Sequence, residues 1–394
     1  MNAPLAGVRV VEFGQLIAAP AAGQSLADLG ADVIKVESMI GEASRKMGTY
    51  GESILDMYNR GKRGIALDMS TSDGLEVARR LVADADIVLQ NMRPGVMDRF
   101  GLGARELRTQ RPELVYGTVS GFGLHGPSRN RSGLDIAAQA ESGIMSITGE
   151  AGREPQRVGF TVVDAAAAHV LAQGVLGAYV GRLRTGVGAT VETSLLQVAV
   201  HLQAAVWGEY FITGLEPTRK GNGQPYVAPA ADVMPTRDGA VVVSAYADEQ
   251  FVRLCTVLGI PDVGTDARFA TNERRVANRP EMLAALREAF LRLTSDQAVD
   301  LLATNALIVG RINTYGDTLK SADVEALGVF VTVEDPDGVE LPAVGAPWSI
   351  HGVQPARSRA PRHGEHTAQV LQSLGYGDAA IADLVRAGAV HAAL

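Results

Sequence analysis

The sequence lacks most of the short motifs that identify an enzyme class. It has a single cysteine, Cys255, among 394 residues, so no disulfide can form within the chain. It has neither a G-x-S-x-G nucleophile elbow nor a G-x-x-x-x-G-K-[ST] phosphate loop. Cys255 lies in an apolar helical pattern, which predicts a buried structural thiol. A lone cysteine suits a reducing, cytoplasmic location.

An excess of positive charge is also missing. The net charge is -8, which argues against a nucleic-acid partner because phosphate binding needs a dense positive field. The seven histidines are scattered and only His363 and His366 stand three apart, so we predict no metal site. The N-terminus does not have the pattern of a signal peptide. Polar residues interrupt the most apolar long segment, 195–215, which predicts a core helix and no membrane association.

Predicted strands and helices alternate along the first half of the chain. Alternation of this kind predicts an α/β fold with a parallel sheet covered by helices on both faces. Ser70 and Asp73 have the spacing of a capping box. The predicted strands are 8–13, 32–37, 64–68, 86–90, 114–120 and 189–193, and the predicted helices are 21–29, 70–83, 135–146, 164–184 and 195–213.

The pattern changes after Gly214. Two hairpins are predicted, with turns at 237–239 and 335–338, and helices are predicted at 248–258, 279–292 and 295–303. This mixture predicts a smaller α+β domain over about residues 225–330.

The first two strands have one feature of a dinucleotide-binding fold, but the sequence argues against a dinucleotide site. Glu37 ends the second strand at the distance expected for a ribose contact. The turn after the first strand, residues 14–20, lacks the glycines that let a backbone approach a pyrophosphate. An enzyme that transfers hydride is therefore a weak hypothesis.

Asp164 follows an apolar stretch and opens a predicted helix. One interpretation is an N-cap, in which the carboxylate accepts hydrogen bonds from first-turn amides. The other is a covalent nucleophile, which a helix N-terminus would steady. Spacing alone does not separate the two.

Blocks along nearly the whole chain resemble the family III CoA-transferases, the group of formyl-CoA and carnitine-CoA transferases. Each block is weak alone, but their order makes the resemblance specific. They are residues 4–13, 28–37, 59–68, 90–95 with Arg99, 120–123, 139–143, Pro155 to Asp164, Gly174, Gly186, Gly188, 266–269 and 364–367.

The resemblance implies an acyl-CoA:carboxylate CoA-transferase that works through anhydride and aspartyl-CoA thioester intermediates on Asp164. Acyl-CoA is then a substrate, and no tightly bound cofactor is expected. Ala18, Leu67, Asn91, Met92 and Arg99 fall at CoA-contacting positions. Gly221, Gly223 and Gln224 match a reduced form of the family's glycine loop, which covers the active site. Lys220 and Asn222 replace glycines of that loop.

One departure from the formyl-CoA enzymes is Ile17, which replaces a glutamine near the nucleophile. Gln15 is a candidate for that contact, and oxalate and formyl-CoA are disfavoured as substrates. Relatives suggest succinyl-CoA with a small dicarboxylate, whose second carboxylate needs an arginine. The candidates are Arg45, Arg157 and Arg219. The cluster Arg60, Lys62 and Arg63 either contacts phosphates or is solvated.

An α-methylacyl-CoA racemase of the same fold is the alternative function. Racemases carry a histidine where this chain has Leu134, and leucine cannot exchange a proton. His125 and His169 fall at unmatched positions and are predicted to be structural. A CoA-binding protein without catalysis is a further alternative that Asp164 opposes.

The resemblance also implies a fold and an assembly. A large Rossmann-like CoA-binding domain would use residues 1–224 and the return segment 331–394, and the small α+β domain would use 225–330. Two chains would interlock as a homodimer.

Overall fold

The computed structural model describes residues 3–335 and 337–393, so Pro336 of the second predicted turn lies outside the described residues. The strands are β1 Arg9–Phe13, β2 Asp32–Glu37, β3 Arg63–Leu67, β4 Ile87–Gln90, β5 Val115–Ser120, β6 Thr190–Ser194, β7 Asp232–Pro235, β8 Ala240–Ser244, β9 Ile308–Arg311, β10 Phe330–Glu334, β11 Glu340–Val344 and β12 Val390–His391.

Helices occupy most of the remaining chain, with a short 3-10 helix at Ala43–Lys46. They are α1 Ala18–Asp28, α2 Gly48–Tyr58, α3 Ser72–Ala83, α4 Val96–Arg99, α5 Ala104–Gln110, α6 Asp135–Glu141, α7 Ile144–Ile147, α8 Val162–Thr185, α9 Leu195–His201, α10 Ala204–Thr213, α11 Asp248–Val257, α12 Pro261–Thr265, α13 Asn272–Ala277, α14 Arg279–Phe290, α15 Ser295–Thr304, α16 Tyr315–Leu319, α17 Ala322–Ala326, α18 Thr367–Ser373 and α19 Asp378–Arg386.

The chain forms two compact units. The first comprises the residues up to Gly143, then Val158–Trp207, and those from Glu325 onward. The second comprises Ile144–Arg157 and Gly208–Val324. The predicted domains 1–224, 225–330 and 331–394 stay a prediction.

The first unit is built on a seven-stranded sheet in the order β12-β3-β2-β1-β4-β5-β6. Strands β1 to β6 pair in parallel, as the alternating pattern predicts. The edge strand β12 pairs antiparallel with β3 and was not predicted, because two residues carry no periodicity. The strand order reverses at β1, so the connections after β1 and β4 diverge and leave a crevice at the carboxyl ends of these strands.

A cluster of buried charged residues lies in the sheet around β1. Glu12 of β1 lies between Lys35 and Lys62, with Oε1 3.5 Å from the Lys35 Nζ and Oε2 2.7 Å from the Lys62 Nζ. Lys35 also pairs with Glu42 at 2.6 Å, and Lys62 donates to the Asn59 Oδ1 at 2.9 Å. Burial lowers the pKa of Lys62 to about 8, so the ammonium still carries its charge at neutral pH.

The predicted basic cluster, Arg60, Lys62 and Arg63, forms ion pairs within the fold. This role differs from both predicted ones, phosphate contact and solvation. Arg60 and Lys62 are buried, and the Arg60 guanidinium contacts both carboxylate oxygens of Asp28 at 2.9 Å. Arg63 pairs with Asp32 at 2.6 Å. A buried charge held by a carboxylate is not available to a phosphate and is not solvated, so both earlier interpretations are wrong for Arg60 and Lys62.

Three helix predictions need correction. The N-cap of α3 is Thr71, whose side chain accepts from the Gly74 amide, whereas Ser70 bonds to Asp68. The predicted helix 135–146 breaks at Gly143, which has φ +96°, a conformation that glycine adopts without strain. The predicted helix 195–213 breaks before α10, where the Gln203 side chain donates to the carbonyls of Ala199 and Ser142.

The longest helix, α8, is apolar around most of its circumference. Of the described helices it is the one long and apolar enough to span a membrane by length and composition. It packs on α1, β5 and β6, which makes it a helix of the sheet's covering layer. Toward its C-terminus Val180 and Leu183 are 53% and 69% exposed.

The second unit contains the antiparallel sheet β7-β8-β9 with helices packed around its core. The first predicted hairpin is confirmed, because Thr236 donates its amide to the Gly239 carbonyl between β7 and β8. Cys255 is buried, as predicted, and burial raises the pKa of its thiol to about 12. The second hairpin, β10–β11, is also confirmed and belongs to the first unit.

Replacing Glu12 with alanine is expected to lower the free energy of unfolding by about 3–5 kcal/mol, because two buried ammonium groups lose their shared partner. Chemical denaturation measures the loss. Glu76→Ala is the control, since Glu76 pairs with Arg80 on an exposed helix face and its removal should change stability by less than about 0.5 kcal/mol. Equal effects of the two substitutions would contradict the role assigned to the cluster.

Candidate active site

Asp164 lies in the first turn of α8 but does not cap it. The N-cap is Thr161, whose side chain makes no capping hydrogen bond. Asp164 is the third helical residue, so the N-cap interpretation of its carboxylate is wrong.

The amides at the start of α8 are instead satisfied by a residue from another helix. Asp135, the first residue of α6, accepts from the amides of Val163 at 2.7 Å and Asp164 at 3.2 Å. Gln139, one turn later on α6, donates to the other oxygen of Asp135 and accepts from the Val158 amide at 2.9 Å. Asp135 and Gln139 are both buried, so they fix the start of α8 rigidly.

Because Asp135 takes these amides, the Asp164 carboxylate is left without a partner. No described residue donates a hydrogen bond to it. Burial, and then the neighbouring charge of Asp135, raise the pKa of Asp164 to about 7. A carboxylate that is poorly solvated and lacks hydrogen bonds is more nucleophilic than one held by donors, which suits covalent chemistry.

Tyr58, at the end of α2, also belongs to the surroundings of Asp164. Burial, followed by the nearby Tyr50 and Asp164, raises the pKa of Tyr58. The phenol therefore remains protonated at neutral pH, within electrostatic range of Asp164.

Asp164 opens onto a cavity of about 520 Å³ at the strand reversal of the sheet. The wall is built from the end of β5, from the connections that leave β1, β4 and β5, and from the starts of four helices, α1, α4, α8 and α9. The lining residues are Gln15, Leu16, Ile17, Ala18, Asn91, Met92, Arg93, Pro94, Val96, Val119, Ser120, Gly121, Arg129, Arg131, Ser132, Gly133, Leu134, Asp164 and Leu195.

The side chain of Asn91 joins two of these connections. Its Oδ1 accepts from the Gln15 amide at 2.9 Å, and its Nδ2 donates to the Gln15 carbonyl at 2.8 Å. Leu16, which follows Gln15, has φ +60°. This left-handed conformation is energetically unfavourable for a residue with a branched side chain. The two hydrogen bonds hold this strained turn where it forms the cavity wall.

A sequence model of CoA-transferase family III matches residues 5–367. The chain belongs to this family. It is 37% identical to the succinate–glutarate CoA-transferase of Agrobacterium fabrum, over 94% of this chain and 96% of that one. It is also 37% identical to the succinyl-CoA–D-citramalate CoA-transferase of Chloroflexus aurantiacus, over 86% and 85% of the two chains. A crystal structure of a CAIB/BAIF family protein from Brucella suis superposes with a TM-score of 0.86 at 36% identity, covering 95% of this chain and 100% of that one.

These relationships identify the protein as an acyl-CoA:carboxylate CoA-transferase. The structure brings part of the predicted CoA site of this family III transferase to the Asp164 cavity, namely Ala18, Asn91 and Met92. Leu67 lines a neighbouring cavity of about 310 Å³, which also contacts Gln15 and Met92. Arg99 is exposed at the end of α4 and lines neither cavity. The role of these residues in CoA binding stays a prediction.

Two of the three arginines nominated for the acceptor, Arg45 and Arg219, are engaged elsewhere. Arg45 is paired with Glu37 at 2.6 Å. Arg219 donates to backbone carbonyls of its own unit, including Arg153 O at 2.8 Å, and Arg157 belongs to the same unit.

Proton-transferring groups are also absent from the predicted positions. Leu134 lines the cavity where a racemase needs its histidine. His125 and His169, predicted to be structural, are exposed and line no part of this cavity. Among residues 3–335 and 337–393 no cluster of His, Cys, Asp and Glu is suited to a metal ion.

Sequence reasoning missed Asp135, Gln139, Tyr58 and the cavity arginines. The spacing of Asp135 and Gln139 along one helix face was visible, but nothing local reveals that their partners lie 28 and 19 residues away.

The raised pKa of Asp164 predicts a stability cost that depends on pH. Between the unfolded value near 4 and the folded value of about 7, the folded protein holds one more proton, so stability falls as pH rises through this window. Asp164→Asn removes the cost, and its stability advantage over wild type should grow by about 1–3 kcal/mol from pH 5 to pH 8. Denaturation at both pH values measures this, with the exposed Asp300→Asn as control. An advantage that does not grow with pH would contradict the raised pKa.

Replacing Asn91 tests whether its side chain positions the strained turn. Asn91→Ala should lower kcat by about 10- to 100-fold, since small displacements at a reacting centre are costly. The dissociation constant for CoA should change less than threefold, because the hydrogen bonds made by Asn91 go to the backbone. Steady-state kinetics and calorimetry separate the two effects, with the exposed Asp300→Asn, outside the cavity, as the control. A large loss of CoA affinity at constant kcat would instead make Asn91 a direct CoA contact.

Proposed function

We propose that Asp164 is the covalent nucleophile of this transferase and that the donor is succinyl-CoA with a small dicarboxylate as acceptor. The observation that carries the proposal is the Asp164 carboxylate itself. It faces a cavity, accepts no hydrogen bond from a described residue, and has a pKa raised to about 7.

The reaction is a series of acyl exchanges on Asp164. Its carboxylate attacks the thioester carbonyl of the donor, the C–S bond breaks, and CoA leaves as a thiolate while an anhydride forms. The thiolate attacks the aspartyl carbonyl of the anhydride and releases the donor acid, which leaves an aspartyl-CoA thioester. The acceptor carboxylate attacks this thioester and expels the thiolate, and thiolate attack on the acceptor's carbonyl then gives the new acyl-CoA and free Asp164.

This sequence needs no proton transfer, since each step exchanges one anion for another. A wall with Leu134 at the position of a general base is compatible with that balance. Ionised Asp164 is required, so activity should fall below about pH 7 as the carboxyl becomes protonated.

The substrate class follows from the relatives, which are named for succinate, glutarate and citramalate. Their similarity over most of both chains supports succinyl-CoA and a dicarboxylic acid here. No tightly bound cofactor is part of the proposal, and acyl-CoA enters as a substrate.

The glycine loop is proposed to protect the anhydride from water, as the resemblance implies. Gly221 has φ +64°, and the Gln224 Oε1 accepts from the Tyr246 hydroxyl at 2.8 Å. A side chain at Gly223 would collide with Arg279, which explains the glycine at that position.

The family resemblance also supports an interlocked homodimer acting in the cytoplasm, with a Rossmann-like large domain. A folded monomer that is stable during size-exclusion chromatography would contradict the interlocked assembly.

The nucleophile is tested by trapping its intermediate. Wild type incubated with succinyl-CoA and quenched in acid should yield a peptide containing Asp164 that carries the mass of CoA. Hydroxylamine should convert the same residue to a hydroxamate. Asp164→Asn, which keeps the side-chain shape, should lose transfer activity by at least about 10³-fold and show no adduct.

A panel of acids with succinyl-CoA, acetyl-CoA and a branched acyl-CoA identifies donor and acceptor in the same experiment. Wild-type turnover without any adduct, or equal turnover by Asp164→Asn, would refute Asp164 as nucleophile. Loss of α-stereochemistry in the branched substrate without transfer would favour the racemase alternative.

A further inference from the structure

Three arginines line the wall of the Asp164 cavity, and none of them was among the candidates for acceptor binding. They are Arg93, which follows β4, and Arg129 and Arg131 on the loop between β5 and α6. Among the described lining residues, Asp164 is the one carboxylate. The cavity therefore carries more positive than negative charge, although the chain as a whole is acidic.

The three arginines differ in what holds them. Arg131 pairs with Glu141 and lies over the Phe122 ring, with 4.2 Å between its guanidinium carbon and the ring centroid. The guanidinium groups of Arg93 and Arg129 have no acceptor among residues 3–335 and 337–393. Two guanidinium groups without a described acceptor, in a cavity lined by one carboxylate, favour a ligand with more than one negative charge.

Arg93 and Arg129 belong to different segments of the chain. Arg93 directly follows Asn91 and Met92, the predicted CoA contacts, so CoA phosphates are its natural ligand. Arg129 lies on the loop that also supplies Leu134. Both line the cavity onto which Asp164 opens.

The wall also offers apolar surface of the kind that a short methylene chain needs. Ile17, Val119, Leu134 and Leu195 line the same cavity as Arg129 and Asp164. An acid with two carboxylates joined by a few carbon atoms can place one end at Asp164, its chain on these residues and its other end at an arginine.

We propose that Arg129 binds the distal carboxylate of the acceptor and so selects short α,ω-dicarboxylates over monocarboxylates. The proposal rests on the CoA-transfer function above and adds the residue that recognises the acid. Arg129 acts through binding alone, because no step of the transfer uses its charge.

The test compares glutarate with butyrate, which keeps the first four carbons of glutarate and lacks its distal carboxylate, with succinyl-CoA as donor. Wild type should prefer glutarate. Arg129→Gln should raise KM for glutarate by about 10- to 100-fold, as loss of a bidentate charged contact implies, while its KM for butyrate and for succinyl-CoA changes less than threefold. Arg129→Lys should keep part of the preference, since a point charge replaces the fork.

Arg93→Gln is the matched control. It should raise KM for succinyl-CoA and leave the ratio between glutarate and butyrate unchanged. The proposal is overturned if Arg129→Gln keeps the wild-type ratio, or if it weakens CoA binding in calorimetry as strongly as Arg93→Gln does, which would assign Arg129 to a phosphate. No transfer by wild type to either acid or to the wider panel would refute the proposed function itself, whereas transfer with equal preference for the two acids would refute this inference alone.

Discussion

The hydrogen bonds from the start of α8 to the Asp135 carboxylate control the chemistry of the site. A helix N-terminus ordinarily offers its free amides to the nearest anion, and the nearest anion by sequence is Asp164 itself. Because Asp135 occupies those amides, Asp164 lines the cavity without a hydrogen-bond donor from the described part of the chain and with the like charge of Asp135 nearby. Burial, and then the charge of Asp135, raise its pKa, and its free oxygens suit the proposed attack on a carbonyl. The same two hydrogen bonds fix the position of α8 against α6.

A second constraint comes from the sheet. The strand order reverses beside β1, and the Asn91 side chain bridges the gap by hydrogen bonding both backbone groups of Gln15. The strained backbone at Leu16 is placed by this bridge, while the buried ion pairs of Glu12 hold β1 and β2 beneath it. The proposed active site thus lies where the strand order reverses, and the buried charges of the Glu12 cluster serve the sheet.

The sequence predicted the regular elements well and the side-chain partnerships poorly. The bounds of β2 were predicted without error and the turn between β7 and β8 was located, because strand periodicity and turn residues are local signals. The breaks in the helices at Gly143 and before α10 depend on one backbone angle and one side-chain amide, which periodicity does not register. Asp164 was found through the family resemblance. Its partner Asp135 was missed because a cap donated by a distant helix has no spacing rule.

The arginines show most clearly that side-chain partners are hard to predict from sequence. Arg45 and Arg60 looked available in the sequence, yet each is paired with a carboxylate, while Arg129 was not singled out and has no acceptor among the described residues. Charge counts along a chain cannot distinguish these cases, because the pairing depends on which elements the fold brings together.

The exposed apolar surface of α8 affects how newly made chains reach the folded state. The helix that carries Asp164 also carries Val180 and Leu183 on its surface, exposed in the single chain. Apolar side chains of this kind attract other unfinished chains during synthesis until something covers them. The yield of active protein therefore depends on whether this surface is buried before the chains aggregate. Slow synthesis at low temperature, which keeps the number of newly made chains small, favours burial.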